Sequence, residues 1–263
     1  MNTFLSALLM SGGVILVFMT FFYFLSLILQ RSDIVDIGWG LGFIIVTLSL
    51  LLRSPDITTR QLILMGLVTA WGLRLSIHIF LRNRQKKEDF RYQNFKEQWG
   101  KGFWWQSYFK IFILQGVFML LISIPLTYRF TFPVADLNWT DFVGIGVWVV
   151  GFFFETVGDI QLTRFVTKKK KGKTETRFLK TGLWGLTRHP NYFGDTTAWW
   201  GIWVICILLS EPISLLTVIG PLTINYLLVF VSGVPLLEKK YDGVKEWEEY
   251  KKRVPKFIPL KFN

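Results

Sequence analysis

Seven stretches of this chain are apolar over a length that crosses, or nearly crosses, a lipid bilayer, and a soluble domain has no use for that many. They cover residues 4–29, 38–52 (completed by 34–37), 62–81, 108–126, 142–162, 195–209 and 212–231. A spanning helix needs about 20 mostly apolar residues. Inside the bilayer no water serves the backbone, so such runs must satisfy their own N–H and C=O groups as helices. The expected fold is therefore all-α: a polytopic membrane helix bundle of about seven transmembrane helices, forming a single integral membrane domain over 1–263. No basic residue precedes the first run and no small-residue cleavage site is evident, so it reads as a retained helix rather than a signal peptide. Ser210, Glu211 and Pro212 form a short turn that makes a hairpin of the last two runs.

The charges have a side. Residues 82–110 hold eight Lys or Arg, 164–188 hold nine and 233–263 hold eight, which is 25 of the chain's 30. With seven helices these three segments fall on one side, together with Arg31, while the opposite loops hold Arg53, Arg60 and Arg129. The positive-inside rule then places the N-terminus outside and the C-terminus in the cytoplasm; were the source bacterial, the membrane would be the plasma or inner membrane. A net charge of +12 can signal nucleic acid, but here it falls in loops between apolar runs. Orientation and contact with anionic membrane lipids account for it, and no nucleic-acid partner is expected. The single cysteine, Cys206, excludes an intrachain disulfide framework and a multi-cysteine metal site.

One stretch concentrates chemistry beside an apolar run: Thr181 to Gly201 packs Arg188, His189, Asn191, Tyr192 and Asp195 into eight residues. Pro190 lacks an N–H and pushes its predecessor towards extended geometry, so Arg188-His189 reads as a turn before a helix. Asn191 is then expected to cap that helix, with its positive dipole end and Arg188 suited to an anionic group such as a phosphate. The plainer reading is an interfacial helix cap anchored by Arg and Trp. Neither histidine lies in a His-x-x-His or His-Glu-x-x-His spacing, so no metal is expected. No glycine-rich dinucleotide fingerprint or phosphate loop occurs, so any nucleotide must sit between helices and cytoplasmic loops.

Other polar groups lie at or near membrane depth, where they are costly and tend to face a cavity or a partner. Glu155 and Asp159 share one helix face at i,i+4, as do Arg74 and His78. Asp33 and Asp36 precede Gly38-Trp-Gly40; Asp33 reads as a cap, whereas Asp36 lies nearer the apolar run and is a candidate proton donor in a substrate cavity. Glu88-Asp-Phe-Arg-Tyr92 is either a loop-fixing salt-bridge cluster or a place where Arg91 and Tyr92 meet a cofactor. Tyr241 and Tyr250 lie on an amphipathic tail that Pro255 ends, where they either anchor the tail at the interface or close over a nucleotide.

The blocks Asp36-Ile-Gly-Trp-Gly40, Trp71-Gly-Leu-Arg-Leu75, Glu88-Asp-Phe-Arg-Tyr92, Phe154-Glu-Thr-Val-Gly-Asp159 and Gly182 to Gly201 resemble the DUF1295 branch of the steroid 5-alpha-reductase-like membrane proteins. The likeness runs over nearly the whole chain. The Arg-His-Pro-x-Tyr piece and the Tyr-Lys-Lys-Arg-Val-Pro tail are also similar to sterol reductases and to isoprenylcysteine or phospholipid methyltransferases. The resemblance implies a membrane reductase that holds NADPH in a cytoplasm-facing cavity of the C-terminal half, about 142–263. It would transfer hydride to the activated C=C bond of a steroid-like or other hydrophobic lipid enone. Carried over by motif, Asp159, Asn191 and Asp195 hold the cofactor, with Arg188, His189 and Tyr192 in the same block. Glu155 matches a position that is an amide in the reductases, and Tyr241 or Tyr250 matches a cofactor-contacting tyrosine. Asp36 and Tyr92 stand in for the acid pair that polarises the substrate ketone. Arg164, Lys168, Arg188 and Arg91 around one pocket favour a phosphate-bearing cofactor over S-adenosylmethionine, the cofactor of the alternative methyltransferase reading. A non-catalytic lipid-binding protein is the third alternative.

Overall fold

A computed structural model describes residues 2–84, 86–134 and 136–260, and every regular element among them is helical. Among the described residues, six helical spans are long and apolar enough to cross a membrane: Thr3–Leu29, Ile34–Arg53, Thr59–Asn83, Phe90–Ile122, Trp139–Lys170 and Pro212–Tyr241. This is a multi-pass membrane protein. The expected run at 195–209 is helical only as far as Cys206, in a helix of 17 residues, Pro190–Cys206, whose first two turns carry Asn191 and Asp195. The chain divides into two compact units, Met1–Asp141 with Ile205–Gly220, and Phe142–Val204 with Pro221–Asn263.

The first unit is built on α1 (Asn2–Leu29), α2 (Ile34–Arg53) and α3 (Thr59–Asn83). Thr58 and Gln61 start α3 as a capping box, each side chain accepting from the other's backbone N–H. The helices α2 and α3 meet backbone to backbone at Gly40 and Gly72, where a Cβ on Gly40 would fall 2.2 Å from the Gly72 carbonyl oxygen. Gly40 and Gly72 are thereby explained as a helix crossing, whereas a Cβ on Gly38 would meet the Phe22 ring of α1 at 2.7 Å. A short α4 (Phe90–Trp99), a 3₁₀ turn, α5 (Phe103–Ser107), a π-helical stretch (Tyr108–Ile113) and α6 (Leu114–Ile122) form one continuous helical path. Ser123 and Pro125 then break it before α7 (Ile124–Thr131), so the apolar run expected at 108–126 is split between two helices.

Arg60, in the first turn of α3, is buried against Asp141 and also donates to the carbonyls of Val134 and Asp136 at 2.7 and 2.6 Å. Asp141 in turn accepts from the N–H of Asn138. A buried charge is tolerable only when paired and hydrogen-bonded, and both members of this pair are.

The second unit contains most of α8 (Trp139–Lys170), α9 (Pro190–Cys206), α10 (Ile219–Tyr226), α11 (Val234–Glu238) and α12 (Lys245–Arg253). Its organising contact is a glycine seam between α8 and α9. Gly144, Gly151 and Gly158 recur every seven residues on α8, and Gly194 and Gly201 do so on α9. A Cβ on Gly194 would lie 2.2 Å from the backbone nitrogen of Glu155, one on Gly151 2.3 Å from that of Ala198, and one on Gly201 2.6 Å from Gly144 and Trp148 backbone atoms. Small residues are what let two membrane helices approach this closely.

Candidate functional site

The seam fixes which side chains of α8 and α9 meet. One turn beyond Glu155, the Nδ2 of Asn191 donates to Oδ1 of Asp159 at 3.0 Å. Helix α9 begins at Pro190, and the His189 carbonyl accepts its first backbone bond, from Phe193. Asn191 therefore lies inside the first turn and is not the cap expected from the sequence. Pro190 takes the first helical position because it has no N–H to lose there. The carboxylate of Asp159 has only acceptors, so the amide of Asn191 must face it and Oδ1 must point away. That Oδ1 is buried and has no hydrogen-bond partner among the described residues.

His189 is buried (2% exposed), and its Nε2 lies 2.9 Å from Oε1 of Glu238 on α11. Arg188 Nε lies 3.2 Å from the same oxygen, and the Arg188 guanidinium sits 5.9 Å from the Trp247 ring. The Tyr192 ring stacks on the imidazole at 5.8 Å and 12°. Burial lowers the affinity of His189 for a second proton and Glu238 only partly restores it, so the ring's pKa lies below its ordinary value. With Nε2–H directed to the carboxylate, neutral His189 presents Nδ1 as an acceptor. That atom, too, is buried without a partner among the described residues. Asp195 follows Asn191 by one turn on the same face and is half-buried; Glu155 is buried under Gly194.

Further along α8, a groove of about 460 Å³ opens between the helix and the 173–182 connection. Its walls carry Arg164 and Lys168 from α8, and Lys173 and Lys180 from the connection. Gln161 closes one end by accepting from the N–H of Leu183 at 3.0 Å, beside Gly182, whose φ of +65° and contact with Gln161 exclude a side chain. Phe178 forms another wall and belongs to an apolar cluster with Trp247, Tyr250 and Val254, against which Tyr241 packs. Tyr250 spends its hydroxyl on the Trp184 carbonyl, and burial raises its pKa. It holds the 182–185 turn rather than presenting a phenol. The tail is tied back to the motif by Arg188 N–H to the Pro255 carbonyl and by the Thr187 hydroxyl to that of Phe257.

In the first unit, the Tyr92 hydroxyl donates to Oδ1 of Asp36 at 2.7 Å, and Arg91 reaches Oδ2 at 2.9 Å. Arg91 also binds Asp89. Burial alone would raise the Asp89 pKa, but the hydrogen bonds and charge of Arg91 outweigh it and hold the carboxyl below its usual range. Glu88 accepts from Ser32 N–H and pairs with Lys96 at 2.6 Å. Much of Glu88 to Tyr92 is thus the loop-fixing cluster, with buried Tyr92 and half-buried Asp36 as its inner end. Asp33 occupies the cap position of α2, but its carboxylate is taken by Arg31 rather than by helix N–H groups.

Sequence reasoning passed over Glu238, although a buried histidine beside an arginine needs a carboxylate, and Glu238 lies in the tail motif. It also passed over Lys173 and Lys180, which composition alone could not distinguish from the other basic loop residues.

A family model described as "Protein of unknown function (DUF1295)" matches residues 22–254. The chain belongs to the DUF1295 family. It is also similar to the Delta(14)-sterol reductase ERG24 of Candida albicans (strain SC5314 / ATCC MYA-2876), with 30% identity over 139 residues, 47% of this chain and 29% of that protein. The match thus spans less than a third of the curated relative's length. No solved structure matches.

Proposed function

We propose that this DUF1295 protein is a membrane-embedded NADPH-dependent reductase acting on the activated C=C bond of a steroid-like or other lipid enone. The observation that carries the reading is the array along α8 and around the start of α9: two buried acceptors with no partner among the described residues, Asn191 Oδ1 and His189 Nδ1, and a groove lined by four cations. Buried polar atoms are satisfied in native proteins, so those two acceptors call for a ligand that donates hydrogen bonds. A groove with four cations calls for one that also carries phosphate. A dinucleotide has both, in its carboxamide and ribose hydroxyls and in its phosphates. From Asp159 to Lys168 the helix rises about 13 Å, a length a dinucleotide follows and a mononucleoside does not. The similarity to a sterol reductase supports the same reading.

NADPH, when bound, supplies the hydride. The chain's residues do the rest. Asp159 orients the Asn191 amide, and Glu238 fixes the tautomer and plane of His189. Arg164, Lys168, Lys173 and Lys180 neutralise phosphate. Reduction of an enone also needs a proton, which we assign to the Tyr92–Asp36 pair. With Arg91 on one oxygen and the Tyr92 hydroxyl on the other, Asp36 acts as acceptor and Tyr92 bears the mobile proton. The side holding the basic segments, the C-terminus included, is taken as cytoplasmic.

The test is a thermal-shift and fluorescence titration of the detergent-solubilised protein with NADPH and, separately, S-adenosylmethionine. Stabilisation by NADPH, followed by NADPH oxidation on adding enone lipids, is expected. Stabilisation by S-adenosylmethionine alone would replace the reductase with a methyltransferase. Silence from both, with folded protein, would leave a non-catalytic lipid-binding protein.

A further inference from the structure

The first unit holds a second groove, of about 430 Å³, where α1 ends. Ser26, Leu27 and Gln30 of α1 and Ser32 form one wall; Lys96, Gly100, Lys101, Phe103 and Trp104 form the other. The walls are cross-tied. The Tyr23 hydroxyl donates to the Trp104 carbonyl at 2.9 Å, and Lys96 Nζ donates to the Gln30 carbonyl at 3.0 Å. Gln30 adopts φ +55°, the left-handed conformation that turns the chain out of α1 and aims its carbonyl at Lys96.

The charges along the groove are unequal. Lys96 is neutralised by Glu88 at 2.6 Å, whereas Lys101 is exposed on the wall. Around the groove runs an aromatic belt. Phe95, Trp99 and Phe103 stack in series at 4.7 and 5.9 Å, Lys110 Nζ lies 5.1 Å from the Trp99 ring, and Trp104 is 63% exposed. Exposed tryptophans at the end of a spanning helix mark headgroup level, and lysine there reaches for lipid phosphate. Phe24, Ile28 and Leu29, at the same end of α1, are also exposed, so apolar surface for acyl chains adjoins the polar groove in sequence.

We propose that this groove binds the phosphate headgroup of an anionic phospholipid from the surrounding bilayer. Lys101 supplies the charge, Ser26 and Ser32 line the polar floor, and Trp104 covers the glycerol region. The site is independent of the reductase reading, because it uses no residue assigned to the cofactor or to proton transfer.

The test uses the full-length protein, delipidated in a zwitterionic detergent. Short-chain phosphatidylglycerol, phosphatidylcholine and inorganic phosphate are titrated separately, with tryptophan fluorescence and melting temperature as readouts. Phosphatidylglycerol is expected to bind more tightly than phosphatidylcholine. Lys101→Met should weaken it about fivefold, the contribution of a single lysine near a membrane surface. Trp104→Leu should remove most of the fluorescence change while leaving the melting temperature of the lipid-free protein unaltered. Lys101 is exposed, so its variant folds, and an unchanged melting temperature of the lipid-free variant is the control for global damage. Equal affinity for the two lipids, no effect of Lys101→Met, or inorganic phosphate binding as well as the lipid would each overturn the proposal.

Discussion

Asn191 and Asp159, 32 residues apart in sequence, are joined by a 3.0 Å hydrogen bond that leaves the other atom of the amide buried and unmatched. If that atom accepts from NADPH, Asn191→Ala should weaken the cofactor about five- to tenfold, the worth of one buried hydrogen bond. Asn191→Asp should do worse, because it sets two carboxylates against each other. Isothermal titration in detergent measures both. Unchanged affinity in the alanine variant, with an unchanged melting curve, would remove Asn191 from the site.

The Tyr92–Asp36 pair gives a contrasting expectation. Tyr92→Phe keeps the ring in its buried place and deletes only the hydroxyl, so NADPH binding should be unaffected while enone reduction falls about 100-fold or more. Single-turnover oxidation of prebound NADPH separates the two effects. Full turnover in the phenylalanine variant would exclude Tyr92 as the proton source.

Much of the scaffold was legible in the sequence, because membrane helices must be long and apolar whatever their neighbours do. The six spans fall on the apolar runs for that reason. Less was legible wherever the answer depended on a partner distant in sequence. Asn191 has the chemistry of a cap, and only the closeness of α8 at the glycine seam turned it to Asp159 instead. The seven-residue spacing of Gly144, Gly151 and Gly158 was a usable signal for that seam. His189 was singled out as chemistry, but Glu238 was hidden in a tail that looked uniformly amphipathic. Asp36 and Tyr92 were named together through the family resemblance alone, and their contact across 56 residues follows from the loop cluster around Arg91. The basic connection at 164–188 was plain as charge, but its folding into a groove depends on Gly182 adopting positive φ beside Gln161.

The seam itself can be tested. A methyl group on Gly194 would meet the backbone of α8 at 2.2 Å, and backbone cannot rotate away. Gly194→Ala should therefore cost about 1–3 kcal/mol of stability and, by parting α8 from α9, weaken NADPH binding as well. Gly146→Ala is the control, since nothing lies within 4 Å of a Cβ there. Similar melting temperatures for the two variants would show that α8 and α9 do not depend on the close approach.

Burial of His189 makes stability depend on pH in a defined direction. The unfolded histidine takes up a proton near its ordinary value of about 6.5, whereas the folded one does so only at lower pH. Between those values the unfolded state binds more protons, so stability is lost as pH falls. Melting temperatures between pH 7.5 and 5.5 should decline, and the decline should flatten in His189→Gln. Glu238→Gln should steepen it, because the carboxylate is what partly offsets burial. A His189→Gln curve parallel to that of the unaltered protein would assign the decline to other groups.

The four-cation groove predicts which dinucleotide is preferred. NADPH carries one phosphate more than NADH, and a charge-assisted hydrogen bond to it is worth roughly 10- to 100-fold in affinity. Arg164 and Lys168 are exposed, so that preference should shrink as salt rises, unlike contacts made by buried Arg188. Replacing Arg164 and Lys168 with glutamine should bring the two cofactors' affinities together, mainly by weakening NADPH. Titration of both cofactors at low and high ionic strength measures this directly. A preference for NADPH that survives both the double substitution and high salt would move the extra phosphate out of the groove, to the buried cation at Arg188. No preference at all would leave the groove to some other anion.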